Sequence, residues 1–76
     1  MIENTLQEIF RDLFDDETII ITPELTADDI DDWDSLMHIQ LIVEIEKGFN
    51  IKFTIGEIAH LKNVGELIDI IRQKTA

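Results

Sequence analysis

The chain has 76 residues, a formal net charge of −11 and no cysteine. This length predicts one small domain over residues 1–76, without room for a deep catalytic cleft. The charge excludes nucleic-acid binding by phosphate neutralisation, and the lack of cysteine excludes disulfide scaffolds, cysteine-ligated zinc and catalysis by a cysteine thiol.

The first apolar pattern predicts an amphipathic helix at the beginning of the chain. Apolar residues recur at helical spacing from Ile2 to Phe14, which places them on one face. Asp15 and Asp16 interrupt this periodicity, so we expect the helix to end there.

Residues 15–34 are the most acidic part of the chain. They contain nine carboxylates and no lysine or arginine, whereas the other residues together contribute only −2 to the charge. No helical period persists here. We therefore expect a long acidic loop, anchored to the core by Leu25, Ile30 and Trp33, with a turn of helix near residues 27–30. A patch of one sign favours encounter with a basic protein surface, or serves only to keep the protein in solution.

A second amphipathic helix is predicted from Asp34 or Ser35 to about Lys47. Apolar residues at intervals of four, beginning at Leu41, form its core stripe. Asp34 is a favourable N-cap, and Gly48 is the expected breaker at the C-terminal end.

Two short patterns predict the remaining helices. Thr54 and Glu57 have the spacing of a capping box that opens a short helix, and Asn63 and Glu66 begin a last helix that ends near Lys74. The predicted fold class is therefore all-α: a small four-helix bundle with a long acidic loop between helices one and two.

Ser35 is the residue best placed to carry chemistry. Its hydroxyl lies where the acidic segment meets the N-terminus of a helix, and backbone N–H groups at such a position stabilise a phosphodiester. Asp34 can cap the helix, and Leu36 is expected to point at or beside the core and to fix the turn. A serine in the first turn of a helix is also common without any chemical role, so the tripeptide alone is a weak signal.

The stretch from residue 34 to residue 51 resembles the Asp-Ser-Leu helix of acyl carrier proteins. Residues 55–59 resemble the short third helix of that family, and residues 64–68 resemble the start of its last helix. The resemblance covers nearly the whole chain without a gap, in the same size and charge class.

The resemblance implies that Ser35 carries a 4′-phosphopantetheine arm derived from coenzyme A. The thiol of the arm would hold an acyl group as a thioester, and Asp34 and Leu36 would shape the attachment turn. A carrier of this kind has no catalytic residue of its own, so we expect no enzymatic activity.

The chain also differs from the members that serve fatty-acid synthesis. Met37, His38 and Gln40 occupy the first turns of helix two, where those members carry more acidic residues. With Trp33 before Asp34, the pattern Trp-Asp-Ser-Leu-x-His is more similar to specialised, stand-alone carriers of secondary-metabolite or surface-glycan pathways. An aminoacyl or peptidyl cargo remains an alternative.

The resemblance further implies a monomer that meets a phosphopantetheinyl transferase, an acyl-loading ligase, and acyltransferase or synthase enzymes with basic docking surfaces. We expect the cytoplasm as its location, because no apolar run is long enough to span a membrane and no secretion signal is visible. The docking surface is expected on the exposed face of helix two and the acidic loop, at Met37, His38, Ile42, Glu46, Asp31 and Asp32.

Three other hypotheses compete with the carrier. Asp34, Ser35 and His38 share a helical face, which admits a hydrolase triad, yet no nucleophile elbow or oxyanion hole accompanies them. The acidic segment lacks the spacing of a calcium loop, so we expect no metal site. An acidic interaction module without a prosthetic group is the second serious hypothesis.

Overall fold

The computed structural model describes residues 2–75, which contain four α-helices and no strand. The all-α, four-helix architecture is therefore confirmed for this part of the chain. None of these helices has the length and apolar character needed to cross a membrane. The elements are α1 (Ile2–Phe14), a turn of 3-10 helix (Ala27–Asp29), α2 (Ser35–Phe49), α3 (Ile55–Ala59) and α4 (Val64–Thr75).

The first two helices each end at a residue with left-handed backbone. Asp15 follows α1 with φ 52°, and Asn50 follows α2 with φ 55°. Asn50, rather than the predicted Gly48, therefore ends α2, because asparagine also tolerates this conformation. Gly48 lies inside the helix, where an added Cβ would come within 3.0 Å of Cδ1 of Ile9 in α1.

The predicted starts of α3 and α4 are confirmed by side-chain hydrogen bonds. The Thr54 hydroxyl accepts the N–H of Glu57 at 3.1 Å, and the Glu57 carboxylate accepts the N–H of Thr54 at 2.8 Å. The Asn63 side chain accepts the N–H of Glu66 at 2.9 Å, and the Glu66 carboxylate accepts the N–H of Lys62 at 2.8 Å. Each start thus satisfies backbone N–H groups that have no partner within the helix.

The core is built by three of the four helices. α1 packs against α2 and α4, and α3 contributes no fully buried residue. Burial of these side chains supplies most of the stabilisation of a domain of this size. The buried residues are Leu6, Phe10 and Phe14 from α1, Leu41, Ile42 and Ile45 from α2, and Val64, Leu67, Ile68 and Ile71 from α4.

The predicted anchors of the acidic segment are confirmed. Leu25, Ile30 and Trp33 are half-buried and pack against the core, and the 3-10 turn Ala27–Asp29 lies between the first two. These contacts hold residues 15–34 against the bundle.

Side chains of α1 hold the first half of this segment by its backbone. Nε of Arg11 donates a hydrogen bond to the carbonyl of Ile19 at 2.8 Å. The carboxamide oxygen of Gln7 accepts the N–H of Ile21 at 3.2 Å. These two bonds position the three isoleucines at residues 19–21, which pair with no strand in the described part of the chain.

The first amides of α4 hold the second half. Val64 donates its N–H to the carbonyl of Leu25, and Gly65 donates to the carbonyl of Pro23, both at 2.9 Å. These are N–H groups that a helix start cannot satisfy internally. At Gly65 the approach is close, since an added Cβ would lie 3.0 Å from the Pro23 carbonyl oxygen.

Candidate functional site

The N-terminus of α2 presents a serine hydroxyl to solvent. Asp34 precedes the helix in extended backbone, and its carboxylate accepts the N–H of Met37 at 2.9 Å. Its carbonyl accepts the N–H of His38 at 2.9 Å, which completes an N-cap. Ser35, the only serine in the chain, is therefore the first helical residue, exposed at the positive end of the helix dipole.

Trp33 and His38 flank this N-cap and are joined by a hydrogen bond. The indole Nε1–H of Trp33 donates to Nδ1 of His38 at 3.1 Å, and the two rings stack with centroids 6.0 Å apart. Nε2 of His38 lies 3.4 Å from the carbonyl oxygen of Ile58 in α3. Through these contacts, the pair links three parts of the chain: the residue before the N-cap, the start of α2, and α3.

Two phenylalanines of α1 lie behind Trp33. Its ring meets Phe10 edge-on with centroids 5.3 Å apart, and it meets Phe14 at 6.1 Å. Both phenylalanines are buried. Aromatic pairs of this kind contribute about 0.5–1.5 kcal/mol beyond the burial of their area. This cluster fixes the start of α2, and Ser35 with it, against the core.

A groove of about 510 Å³ begins at Ser35 and runs between α2, α3 and the connection from α3 to α4. Its two charged lining residues are Asp34 and Lys62. An exposed hydroxyl therefore lies at the rim of a largely apolar groove. The apolar residues that line it are Ala27, Trp33, Ile39, Ile58, Ala59, Leu61 and Leu67.

The hydrolase triad is not supported by this geometry. Nδ1 of His38 accepts a hydrogen bond from Trp33, and Nε2 faces the carbonyl of Ile58. Neither ring nitrogen is left to activate the hydroxyl of Ser35, which a general base in hydrogen-bond reach would have to do. Within residues 2–75, the histidine, aspartate and glutamate side chains also form no cluster of three or more arranged to hold a metal ion.

Comparison with known proteins identifies the class of site. A family model described as a phosphopantetheine attachment site matches residues 4–71. The chain belongs to the acyl carrier protein family. This carrier is 31% identical over 70 residues to an acyl carrier protein of Acidothermus cellulolyticus, with 92% of this chain and 83% of the relative covered. It is also similar to the solution NMR structure of a holo acyl carrier protein from Geobacter metallireducens, with a TM-score of 0.90 and 50% identity over 95% of this chain and 83% of the other.

These matches confirm the resemblance and the class of cofactor. The cofactor is a covalently attached phosphopantetheine, and proteins of this family are carriers rather than enzymes. The hypothesis of an interaction module without a prosthetic group is therefore dropped. Membership also implies interaction with transferases and biosynthetic enzymes.

The residues of the carrier fit such a group. A phosphodiester needs an accessible hydroxyl and benefits from nearby N–H donors, both of which the start of α2 provides at Ser35. The adjoining groove offers an apolar surface next to that hydroxyl.

The predicted burial of two residues of α2 is wrong. Leu36, expected at or beside the core, is 66% exposed, because its helical position places it on the same face as the exposed Ile39 and Val43. Ile42, expected on the docking face, is 3% exposed and belongs to the core. Ile42 follows the core residue Leu41 directly, and both belong to the same buried cluster.

Three other predicted docking residues are only half exposed. Met37 packs against the core, and His38 is engaged by Trp33 rather than facing solvent. The Glu46 carboxylate accepts the N–H of Phe53 at 2.8 Å and so fixes the connection to α3. The exposed apolar residues of α2 are instead Leu36, Ile39 and Val43, which share one face by their helical spacing.

The acidic residues of the 15–34 segment are all exposed, Asp31 and Asp32 among them. Ion pairs found within residues 2–75 involve none of its nine carboxylates. The Thr18 hydroxyl and backbone N–H both donate to Asp16 and lower the pKa of that carboxyl below its ordinary value. The segment therefore presents an uncompensated negative field.

Sequence reasoning missed the pairing of Trp33 with His38. Trp33 was expected only as an anchor and His38 only as a surface residue. Their positions, one before the N-cap and four residues into the helix, are those of the contact known as the hydrophobic staple. That spacing is the signal that would have revealed the pair.

Proposed function

We propose that Ser35 is the attachment point of the phosphopantetheine arm. The observation that carries the proposal is the position of this hydroxyl, which is exposed on the first residue of α2 at the rim of the apolar groove. The protein then delivers acyl or aminoacyl groups to enzymes of fatty-acid, secondary-metabolite or surface-glycan biosynthesis. When attached, the arm supplies a terminal thiol that holds the cargo as a thioester.

The residues of this chain contribute position and electrostatics. Asp34 caps α2 and keeps Ser35 in the first turn, with its hydroxyl directed away from the core. The partial positive charge at the start of α2 stabilises the phosphodiester anion. Trp33 and Ile39 at the near end of the groove are the apolar groups that would meet the arm first.

The docking surface that we propose combines two features around Ser35. Asp31 and Asp32 lie in the exposed acidic segment, and a basic partner surface complements their charge. An exposed apolar stripe on α2, formed by residues 36, 39 and 43, supplies the area that a partner can bury. Met37, His38 and Glu46 support this surface from its edge, whereas Ile42 is excluded by its burial. The partners are the phosphopantetheinyl transferase, the ligase that loads the cargo, and acyltransferase or synthase enzymes.

The attachment site is tested by modification in vitro. We expect the unmodified protein, incubated with a phosphopantetheinyl transferase and coenzyme A, to gain the mass of one phosphopantetheine, located on Ser35 by peptide mapping. Ser35→Ala abolishes the gain, whereas Thr5→Ala, which removes an exposed hydroxyl of α1, leaves it unchanged. Circular dichroism verifies that both variants are folded. An unchanged mass, with a transferase that modifies another carrier in the same assay, contradicts the proposal.

A further inference from the structure

The contacts of His38 specify which of its nitrogens carries the proton. The indole N–H of Trp33 can only donate, so Nδ1 of His38 must accept. A neutral imidazole then has its proton on Nε2, which faces the carbonyl oxygen of Ile58 at 3.4 Å. Both contacts are satisfied together only in this neutral form.

The contact to Ile58 matters because it is a hydrogen bond from a side chain of α2 to α3, beside the apolar packing of the Ile58 side chain on the core. α3 has five residues and none is fully buried. On its other side, Glu57 forms an ion pair with Lys74 of α4 at 3.1 Å. Ile58 and Ala59 form one wall of the groove. His38 is therefore the side chain that ties this wall to α2.

We propose that His38 is a positioning residue whose neutral form holds the α3 wall of the groove against α2 and whose protonation releases that wall. When Nδ1 of His38 is protonated, it and the indole N–H of Trp33 are both donors, so their hydrogen bond is lost. The His38 ring is then no longer fixed by Trp33, and its contact with α3 weakens. Histidine as a residue type changes charge between about pH 5 and 8, so the contact is tested across that range. The use of an open groove by the prosthetic arm rests on the proposed function, whereas the Trp33–His38–Ile58 contact does not.

The charged groups around His38 are few. Asp34, at the start of the same helix, and Lys62, in the connection between α3 and α4, are the charged residues that line the groove. From α1 and α4 the neighbouring side chains are apolar. Glu57 of α3 is engaged with its capping partner and Lys74, and Asp31 and Asp32 line a separate pocket. Asp34 and Lys62 carry opposite charges and line the same groove as His38.

The first test uses spectroscopy on the unmodified protein. We expect ¹⁵N NMR to show the Nε2–H tautomer of His38 at about pH 8, and the fluorescence of Trp33 to change as the pH falls to about 5. Trp33 is the only tryptophan and His60 is the only other histidine, so the two signals are simply assigned. His38→Phe keeps an aromatic ring and abolishes the pH response, whereas His60→Gln preserves it. Predominance of the Nδ1–H tautomer, or a response that His60→Gln removes, overturns the proposal.

The second test measures the hold on α3 at one pH. Hydrogen exchange of the amides of residues 55–59 should be about two- to tenfold faster in His38→Phe, which corresponds to the loss of one hydrogen bond. Gln40→Ala, at an exposed position in the same helix, serves as the matched control and leaves these rates unchanged. If His38→Phe does not fold, Trp33→Phe removes the indole donor and keeps a smaller aromatic ring, and the preference for the Nε2–H tautomer should then fall. Unchanged exchange in a folded His38→Phe, or an unchanged tautomer in Trp33→Phe, refutes the inference.

Repeating both tests in a Ser35→Ala background separates this inference from the proposed function. The contact should survive there, although the attachment hydroxyl is gone. If the transferase never modifies the wild-type protein but the His38 contact is found, only the proposed function is contradicted. If the protein is modified but the contact is absent, only the present inference is contradicted.

Discussion

Replacing the N-cap of α2 tests how the start of this helix is stabilised. Asp34→Ala removes the acceptor of the Met37 N–H and a carboxylate at the positive end of the helix. Loss of an N-cap costs about 0.5–2 kcal/mol, and loss of the favourable charge costs about 0.3–1 kcal/mol. We therefore expect Asp34→Ala to lower the free energy of unfolding by about 1–2 kcal/mol. With an unfolding entropy of about 2.1 cal/mol/K per residue, the midpoint of thermal unfolding falls by about 6–12 °C.

Thermal unfolding followed by circular dichroism at neutral pH measures this effect. Asp34→Asn keeps a capping oxygen but loses the charge, so its midpoint should fall by only about 2–6 °C. Asp69→Ala is the matched control, because Asp69 is exposed in α4 and its nearest cation is 4.0 Å away. The reasoning is refuted if Asp34→Ala is no more destabilising than Asp69→Ala. If Asn and Ala at position 34 are equally destabilising, the hydrogen bond is not the stabilising feature.

Three further predictions concern packing, pH and charge. Gly65→Ala should destabilise the protein by about 1–3 kcal/mol in denaturant unfolding, since its Cβ would meet backbone at 3.0 Å. Gly48→Ala should be nearly neutral, because the group it would meet is the flexible end of a side chain; equal losses at both glycines would contradict this. The backbone N–H of Thr54 and the side chain of Lys74 lower the pKa of Glu57 in the folded state. The ionised carboxylate therefore stabilises the fold above its unfolded-state pKa, and this stabilisation is lost as the pH falls through the folded-state pKa. The wild type should therefore lose more stability than Glu57→Gln between neutral pH and about pH 3, and equal losses would disprove this linkage. Replacing Asp31 and Asp32 with lysine should slow transferase modification more at low salt than at high salt, and an effect independent of salt would argue against charge steering.

Local signals in the sequence predicted most of the helix boundaries. The Thr54–Glu57 and Asn63–Glu66 pairs satisfy backbone groups within four residues, so their spacing alone is informative. The predicted end of α2 at Gly48 was wrong, because Asn50 adopts the left-handed backbone instead. The helical packing of α2 on α1 continues past the glycine, and that contact decides between them.

Contacts between distant parts of the chain limited the prediction of the site. Ser35 and its cap were predictable because both lie in one helix turn. The burial of Ile42 and the exposure of Leu36 depend on how the rest of the bundle packs on α2, which helical periodicity alone does not specify. The contact of His38 with α3 joins residues 20 positions apart, so no local pattern could indicate it.

The way the acidic segment is fastened has a consequence for how carriers of this kind diversify. Its course is set by α1 side chains and α4 amides that bind backbone atoms, together with a few apolar anchors. Three of its carboxylates, those of Asp16, Asp29 and Asp34, accept backbone N–H groups nearby in the chain, whereas the other six are exposed and take no part in this fastening. Mutation can therefore change the charges at those six positions while the path of the segment over the bundle stays the same. Related carriers can thus acquire new partner enzymes through surface substitutions alone, while the fold stays unchanged.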